Sequence, residues 1–322
     1  MKRSKIRIIL FSLLLLASVF LISTFFYLYA SLRKSSGDVI TSRNFHVVVL
    51  GQAENLSFLQ KVFEGADRTS QNYNAVVELH VPSSQAEDSN LLSLMEYASF
   101  VNADGIIAYI DSESPVFDRP ERLTGDPIPI VTLGTFNPAI PQISFLGTNY
   151  SELGRELAYQ TIDAVGKQGR VLITGLDGSN NPTYSTLMNS LMLTLRQNTS
   201  ITYEVLNSEE AKNEVEINIL LKDKENPVDA VVCLTEEESI SFARIMTALK
   251  DEREIKLICY GENETISQYY DKNIISTIVA VDPIKTGSQA MLELFEYRNT
   301  GYTNSYINAP LMIRKKQNGG EQ

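Results

Sequence analysis

Histidine and cysteine are almost missing from this chain, with two of each in 322 residues. That leaves little material for a metal centre, because the common zinc, copper and iron sites draw on clusters of these side chains. Cys233 and Cys259 sit inside apolar runs, DAVVCL and KLICY. They read as buried strand thiols, with a structural disulfide as the alternative. His46 and His80 both lie early and inside strand-like runs, so a Ser-His-Asp arrangement is not expected. Phosphate-cradling motifs are missing too. The chain has no G-x-x-x-x-G-K-[ST] sequence, no G-x-G-x-x-G after a strand and no G-x-S-x-G elbow. The glycine-containing turn at 175–180 lacks a lysine. Carboxylates are plentiful, but at no spacing that marks an acid–base pair. No catalysis, cofactor or metal is therefore expected.

Positive charge is scarce as well. There are 28 basic and 39 acidic residues, a formal net charge of −11. Four of the basic residues lie in the first seven positions. Beyond them 24 basic residues face 39 acidic ones, a balance of −15. Such a body repels nucleic acid and anionic headgroups, so no nucleic-acid partner is expected.

What is present first is a long uncharged run. Lys2, Arg3, Lys5 and Arg7 precede it, and Ile8 to Leu32 carry no charge. About 25 helical residues span roughly 37 Å, enough to cross a hydrocarbon core of about 30 Å with some tilt. A cleaved secretory signal has a shorter apolar region, about 7–15 residues, and small residues at the cleavage site. Here the nearest such site, Leu28-Tyr29-Ala30, places a bulky leucine where a small residue is needed. No cysteine lies near the end of the run, which excludes a lipid-attached cysteine. Residues 8–32 are expected to be a retained transmembrane anchor, with a cleaved signal as the alternative. The basic tip 1–7 outweighs Arg33 and Lys34, which puts the tip in the cytoplasm and the body outside a cell membrane crossed once. Residues 33–43 read as a stalk and 317–322 as a disordered tail.

The body alternates short β-rich runs with helical patterns. Strands are expected at His46–Leu50, Ala75–Val81, Gly105–Ile110, Ile128–Leu133, Arg170–Thr174, Ile201–Val205, Ala230–Leu234 and Ile255–Tyr260. Their apolar runs are unbroken, as in strands covered on both faces. Helices are expected from Asn55 to Ala66, over Leu91–Phe100, from Asn149 (with Glu152 completing a capping box) to Ile162, and at Ser185–Leu195, Ala211–Leu221, Glu237–Leu249 and Ile284–Tyr297. Regular strand–helix alternation means right-handed βαβ units and parallel sheets. The series restarts near Ile143, so the fold class is α/β with two doubly wound lobes. Ligands bind beyond the carboxyl ends of such strands, and two facing lobes make a cleft there.

Four stretches carry a resemblance. They are HVVVLGQAENLSFLQKVFEGAD from His46, ISFLGTNYSELGRELAYQTI from Ile143, PVDAVVCLTEEESISFARIM from Pro227 and STIVAVDPIKTGSQAMLEL from Ser276. In this order and spacing they resemble the type I periplasmic binding proteins, the ribose-binding and related sugar-binding group, over about residues 44–316. The resemblance implies three hinge crossings, near Gly147, Val281 and Thr303. The lobes would then be discontinuous: 44–146 with 282–302, and 147–281 with 303–316. It also implies a small-molecule ligand, with a sugar the leading class. The membrane partner would be a sensor histidine kinase or an ABC permease. A third reading is a degenerate module that has lost its ligand and serves as an interaction domain.

The resemblance places candidate ligand-binding residues at Asn55, Phe58, Asp111, Thr135, Phe136, Tyr184, Thr235, Glu236, Tyr260, Glu262 and Asp282. Several depart from the sugar-binding pattern. Gly134-Thr135-Phe136 stands where an Asp-Arg pair is common, and Asn180, Asn181, Tyr184 and Ser185 where an arginine is. Thr235-Glu236 replaces Asn-Asp, Tyr260-Gly261-Glu262 replaces Phe-Asp, and Val281 replaces a polar hinge residue. Each also has a plain structural reading. Asn55 and Thr235-Glu236 suit helix caps. Phe58, Tyr184 and Tyr260 suit ordinary packing, and Asp111 suits a solvated loop.

Overall fold

The computed structural model describes residues 22–24, 44–86, 90–174, 182–197, 200–207, 210–211, 213–249 and 254–316. Most of the expected anchor, the stalk, the tail and residues 175–181 lie outside them. Among the described residues no helix is long and apolar enough to cross a membrane. The chain divides into two units, Met1–Asn44 and Phe45–Gln322, and the second carries both sheets.

Two six-stranded sheets organise the body. In the first, β1 (Phe45–Leu50), β2 (Ala75–His80), β3 (Gly105–Ile110), β4 (Ile130–Gly134), β5 (Ser144–Gly147) and β11 (Tyr306–Asn308) lie in the order β11-β5-β4-β3-β1-β2, all parallel. In the second, β6 (Gln168–Thr174), β7 (Ser200–Leu206), β8 (Ala230–Cys233), β9 (Lys256–Tyr260), β10 (Thr277–Val281) and β12 (Leu311–Lys315) lie in the order β12-β10-β9-β8-β6-β7. Only β12 runs antiparallel there.

The unbroken apolar runs have a direct cause. Val47 and Val49 point into one core of the first lobe and Val48 and Leu50 into another on the opposite face. In the second lobe Val231 and Cys233 face one core, and Ala230 and Val232 the other. Side chains alternate faces along a strand, so a strand covered twice must be apolar at every position. Cys233 and Cys259 are buried free thiols opposite each other in β8 and β9. Burial, then the neighbouring Cys259, raises the Cys233 thiol well above its ordinary value.

Eight helices of eight or more residues cover these faces among the described residues: α1 (Leu56–Ser70), α2 (Leu91–Phe100), α3 (Tyr150–Val165), α4 (Pro182–Arg196), α5 (Glu214–Lys222), α6 (Glu236–Leu249), α7 (Glu264–Asp271) and α8 (Pro283–Thr300). Short polar caps fix where they start. Asn90, Asn149, Asn213, Asn263 and Asp282 each accept a hydrogen bond from a backbone N–H of the first turn. Asn149 takes the N–H groups of both Ser151 and Glu152.

The chain passes between the sheets three times. It leaves the first after Gly147, returns between Val281 and Pro283, and leaves again at Ala309–Pro310. The crossing expected near Thr303 falls upstream of that last point. Thr303 is buried and its hydroxyl donates to Glu293 of α8, while Tyr306–Asn308 stays in register with β5. A side-chain anchor and a short edge strand therefore keep the chain in the first lobe past Thr303. The crossings are tied together. Ala309 N–H donates to the Gly147 carbonyl at 2.8 Å and Asp282 N–H to the Pro310 carbonyl at 2.7 Å.

Candidate ligand-binding site

A cavity of about 430 Å³ opens between the two sheets at the carboxyl ends of their strands. The first lobe contributes Glu54, Asn55, Ser57, Phe58 and Lys61 around the start of α1, Tyr109 near the end of β3, and Gly134 and Thr135 at the end of β4. The second contributes Glu236 at the start of α6, Tyr260 at the end of β9, and Gly261, Glu262 and Asn263 after it. The crossings supply Thr148, Tyr150, Val281, Pro283 and Ala309. Both lobes and the hinge thus border one space.

Aromatic rings and carboxylates dominate its chemistry. Phe58 and Tyr109 meet edge to face at 5.7 Å. Burial raises the Tyr109 phenol above its ordinary value, with Asp111 and then Glu236 adding to the shift. Burial also raises Tyr150. Tyr260 is raised by burial, then by Tyr150, against a hydrogen bond to Thr148 that lowers it; Glu236 and Tyr109 push it up further. Two of these phenols, Tyr109 and Tyr260, thus feel the Glu236 carboxylate, and Tyr150 neighbours both of them. Gly261 makes this possible. Its φ is +95°, and a Cβ there would lie 2.2 Å from Glu236 Cγ. A side chain at 261 would be strained and would push the carboxylate out of place.

An ion pair crosses the cavity from lobe to lobe. Lys61 Nζ on α1 lies 3.1 Å from Glu262 Oε1 after β9. The same oxygen takes Arg314 Nη1 of β12 at 3.1 Å. The Glu262 side chain is only 10% exposed, and its other oxygen, Oε2, is buried with no hydrogen-bond partner.

Of the residues singled out from sequence, Asn55, Phe58, Thr135, Glu236, Tyr260 and Glu262 line this cavity. Five do not. Asp111 closes its own turn, accepting from the Glu113 N–H and the Ser114 hydroxyl, each at 2.9 Å. Phe136 is half exposed and packs 5.3 Å from Phe145. Tyr184 packs against the second-lobe core. The Thr235 hydroxyl accepts from the Glu238 N–H at 3.2 Å, a cap for α6. Asp282 caps α8, accepting from the Lys285 N–H at 3.0 Å. Sequence reading missed Glu54, Ser57, Lys61, Tyr109, Thr148, Tyr150 and Asn263. One signal was available: Lys61 sits three residues after Phe58 and four after Ser57, on one face of α1. Tyr109 was hidden by its apolar strand, and Thr148 and Tyr150 by lying in a crossing.

The site can hold a small polar ligand by hydrogen bonds and ring contacts. Among the described residues no group of three or more His, Cys, Asp or Glu is placed to hold a metal ion. His46 pairs with Glu78 at 3.0 Å and His80 stacks on Tyr97 at 3.6 Å, and neither histidine lines the cavity.

A family model described as a periplasmic binding protein domain matches residues 47–300. No curated protein matches by sequence. Several solved structures share the fold. A mutant form of the XylFII–LytSN complex aligns with a TM-score of 0.66 at 18% identity, covering 84% of this chain and 98% of its own. AraP, an arabinose binding protein from Geobacillus stearothermophilus, gives 0.66 at 14% identity, covering 84% and 96%. A sugar ABC transporter (sugar-binding protein) from Bacillus halodurans gives 0.64 at 17% identity, covering 85% and 98%.

Proposed function

The chain belongs to the periplasmic binding protein family, and from that premise we propose that it is a membrane-anchored extracytoplasmic binding protein. It takes a small polar, sugar-like ligand between its lobes and reports closure to a membrane partner. The observation that carries this reading is the cavity bordered by both lobes and by all three crossings. A ligand that touches both walls binds the closed form better than the open one, and that difference shifts the lobe equilibrium. The names of AraP and of the Bacillus halodurans protein support a sugar as the ligand class. Residues 8–32 support the tether. The XylFII structure with LytSN supports a protein partner for the reporting step, and the family resemblance makes a sensor histidine kinase the expected kind.

A second reading is the substrate-binding subunit of an ABC importer, favoured by the name of the Bacillus halodurans protein. The two readings share the cleft and differ in the partner. Photo-crosslinkers on the outer faces of both lobes, in native membranes, trap a kinase under the first and a permease under the second. Calorimetry on the detergent-extracted full chain, across pentoses, hexoses and small polar solutes, tests binding itself. Silence across the whole panel overturns both readings and leaves an interaction module that has lost its ligand. N-terminal sequencing of membrane-extracted protein is expected to start at or before Ile8, and a start beyond Ala30 overturns the tether.

A further inference from the structure

The two sheets have four edges, β2 and β11 in the first and β7 and β12 in the second. Three of them carry charge: Glu78 on β2, Glu204 on β7, and Arg314 and Lys315 on β12. Charge on an edge strand guards it against pairing with another chain. The β11 edge, Tyr306–Asn308, has none. The lack extends well beyond the strand. In a chain of which 21% of residues are charged, Asn299–Ile313 carries no charged side chain. Neither does Pro127–Ser151, which supplies the neighbouring strands β4 and β5.

This edge is also open to hydrogen bonding. Phe145 N–H donates to the Ser305 carbonyl at 3.0 Å and Ala309 N–H to the Gly147 carbonyl at 2.8 Å. Alternate residues, 305, 307 and 309, thus turn backbone groups toward β5. The backbone groups of Tyr306 and Asn308 turn outward, and among the described residues nothing bonds to them. Both residues are exposed. Tyr306 extends a row of rings: it lies 5.7 Å from Phe145, which lies 5.3 Å from the half-exposed Phe136. Aromatic rings without charged neighbours are what the core of a protein interface is made of.

We propose that this edge is where a second copy of the chain docks, with the two β11 strands antiparallel about a twofold axis at Ile307. Tyr306 of one copy then faces Asn308 of the other, in both directions. Each such pair exchanges two backbone hydrogen bonds, so all the outward groups are met and one surface serves both copies. Charge selects a copy over a different protein. Two bodies with the same acidic excess repel wherever their charged surfaces meet, and they approach most easily on a face without charge. A basic partner gains nothing from that face and would seat on the acidic surface instead.

Two measurements test the pairing. In native membranes Ile307→Cys is expected to form an intermolecular disulfide under mild oxidation, because a residue facing its own copy across a non-hydrogen-bonded antiparallel pair has its Cα about 4.5 Å away, within disulfide reach. Val76→Cys, exposed on the β2 edge, reports chance collisions and is expected to crosslink severalfold less. Cys233 and Cys259 are buried and do not compete. In detergent, sedimentation of the full chain is expected to show a monomer–dimer equilibrium. Tyr306→Lys puts charge on the edge, and Tyr306→Pro removes an outward N–H that serves no ladder bond. Each is expected to weaken self-association roughly tenfold or more while the protein stays folded by circular dichroism. A chain that sediments as a monomer throughout, equal crosslinking at 307 and 76, or a dimer that both substitutions leave intact overturns the proposal.

Discussion

Gly287→Ala tests how the cavity wall is built. Gly287 lies in α8 where it crosses α1, and a Cβ there would sit 1.9 Å from the Val62 carbonyl oxygen. The reverse contact is as tight: a Cβ at Gly65 would sit 1.8 Å from the Ile284 carbonyl. Both obstacles are helix backbone, so no rotamer change relieves them. Real Cβ contacts essentially never fall below 3.0 Å, so the helices must separate by about 1 Å or more. A gap of that size forfeits about a quarter to a half of the dispersion energy of the facing atoms. Here those belong to Leu59, Val62 and Ala66 against Ala290, Met291 and Leu294. Overpacking of this sort costs about 3 kcal/mol. In a body of this size that lowers Tm by roughly 6–10 °C. Phe58 and Lys61 ride on α1, and Pro283 and Thr286 on α8, so ligand affinity should fall with stability. Gly65→Ala is expected to cost about as much, and the double variant less than the two together, because one separation relieves both clashes. Gly301→Ala is the control. It ends α8 in the left-handed region with open space around it, so it costs about 1 kcal/mol. A Tm within 2 °C of the parent for Gly287→Ala would refute the close-approach argument.

Three further outcomes are expected. Lys61→Met removes the pair that spans the lobes; because Lys61 is 43% exposed, the pair is worth about 1 kcal/mol or less. The open form should gain up to roughly fivefold in population, seen as a larger radius of gyration by small-angle scattering at low salt, and an unchanged radius refutes a role for this ion pair in holding the lobes together. Cys233 should resist a thiol reagent at pH 8 in the native protein and react on denaturation, since burial keeps it protonated; rapid native labelling of both cysteines contradicts the buried pair. Tyr97 is raised to about 12, first by burial and then by its hydrogen bond to Glu78. The unfolded phenol ionises near 10, so between about pH 10 and 12 the unfolded chain loses a proton that the folded one keeps. Stability from this group is full below pH 10 and declines as pH rises through that window. Urea unfolding should show the decline, smaller in Tyr97→Phe, and a decline undiminished in that variant excludes Tyr97 as its source.

Much of the fold was legible because its signals are local. Val47–Leu50 and Ala230–Cys233 announce strands covered twice, and Asn149 announces a helix start from one side chain and its own backbone. The short strands Ser144–Gly147 and Tyr306–Asn308 carried weaker local signals, and β11 takes its place from pairing with β5; Thr277–Val281 reads TIVAV, a clear strand run missing from the expected strands. The site was half legible for a related reason. Asn55, Phe58, Glu236 and Tyr260 lie at strand ends and helix starts, where the α/β rule already looks. Thr235 and Asp282 lie there too, yet each satisfies a helix cap in place of the cavity. Which way such a side chain turns depends on competition between its own backbone and the space beyond.

Sequence alone determined the α/β class, the two lobes, the apolar run at 8–32 and the acidic body, since each follows from periodicity, composition or charge. Only the tertiary structure decided where the third crossing falls, that Lys61 meets Glu262 across 201 positions of chain, and that Tyr109, Tyr150 and Tyr260 line one cavity with Glu236. Those depend on how separate segments are brought together, and neither hydrophobic period nor capping pattern encodes a distance between residues far apart in the chain.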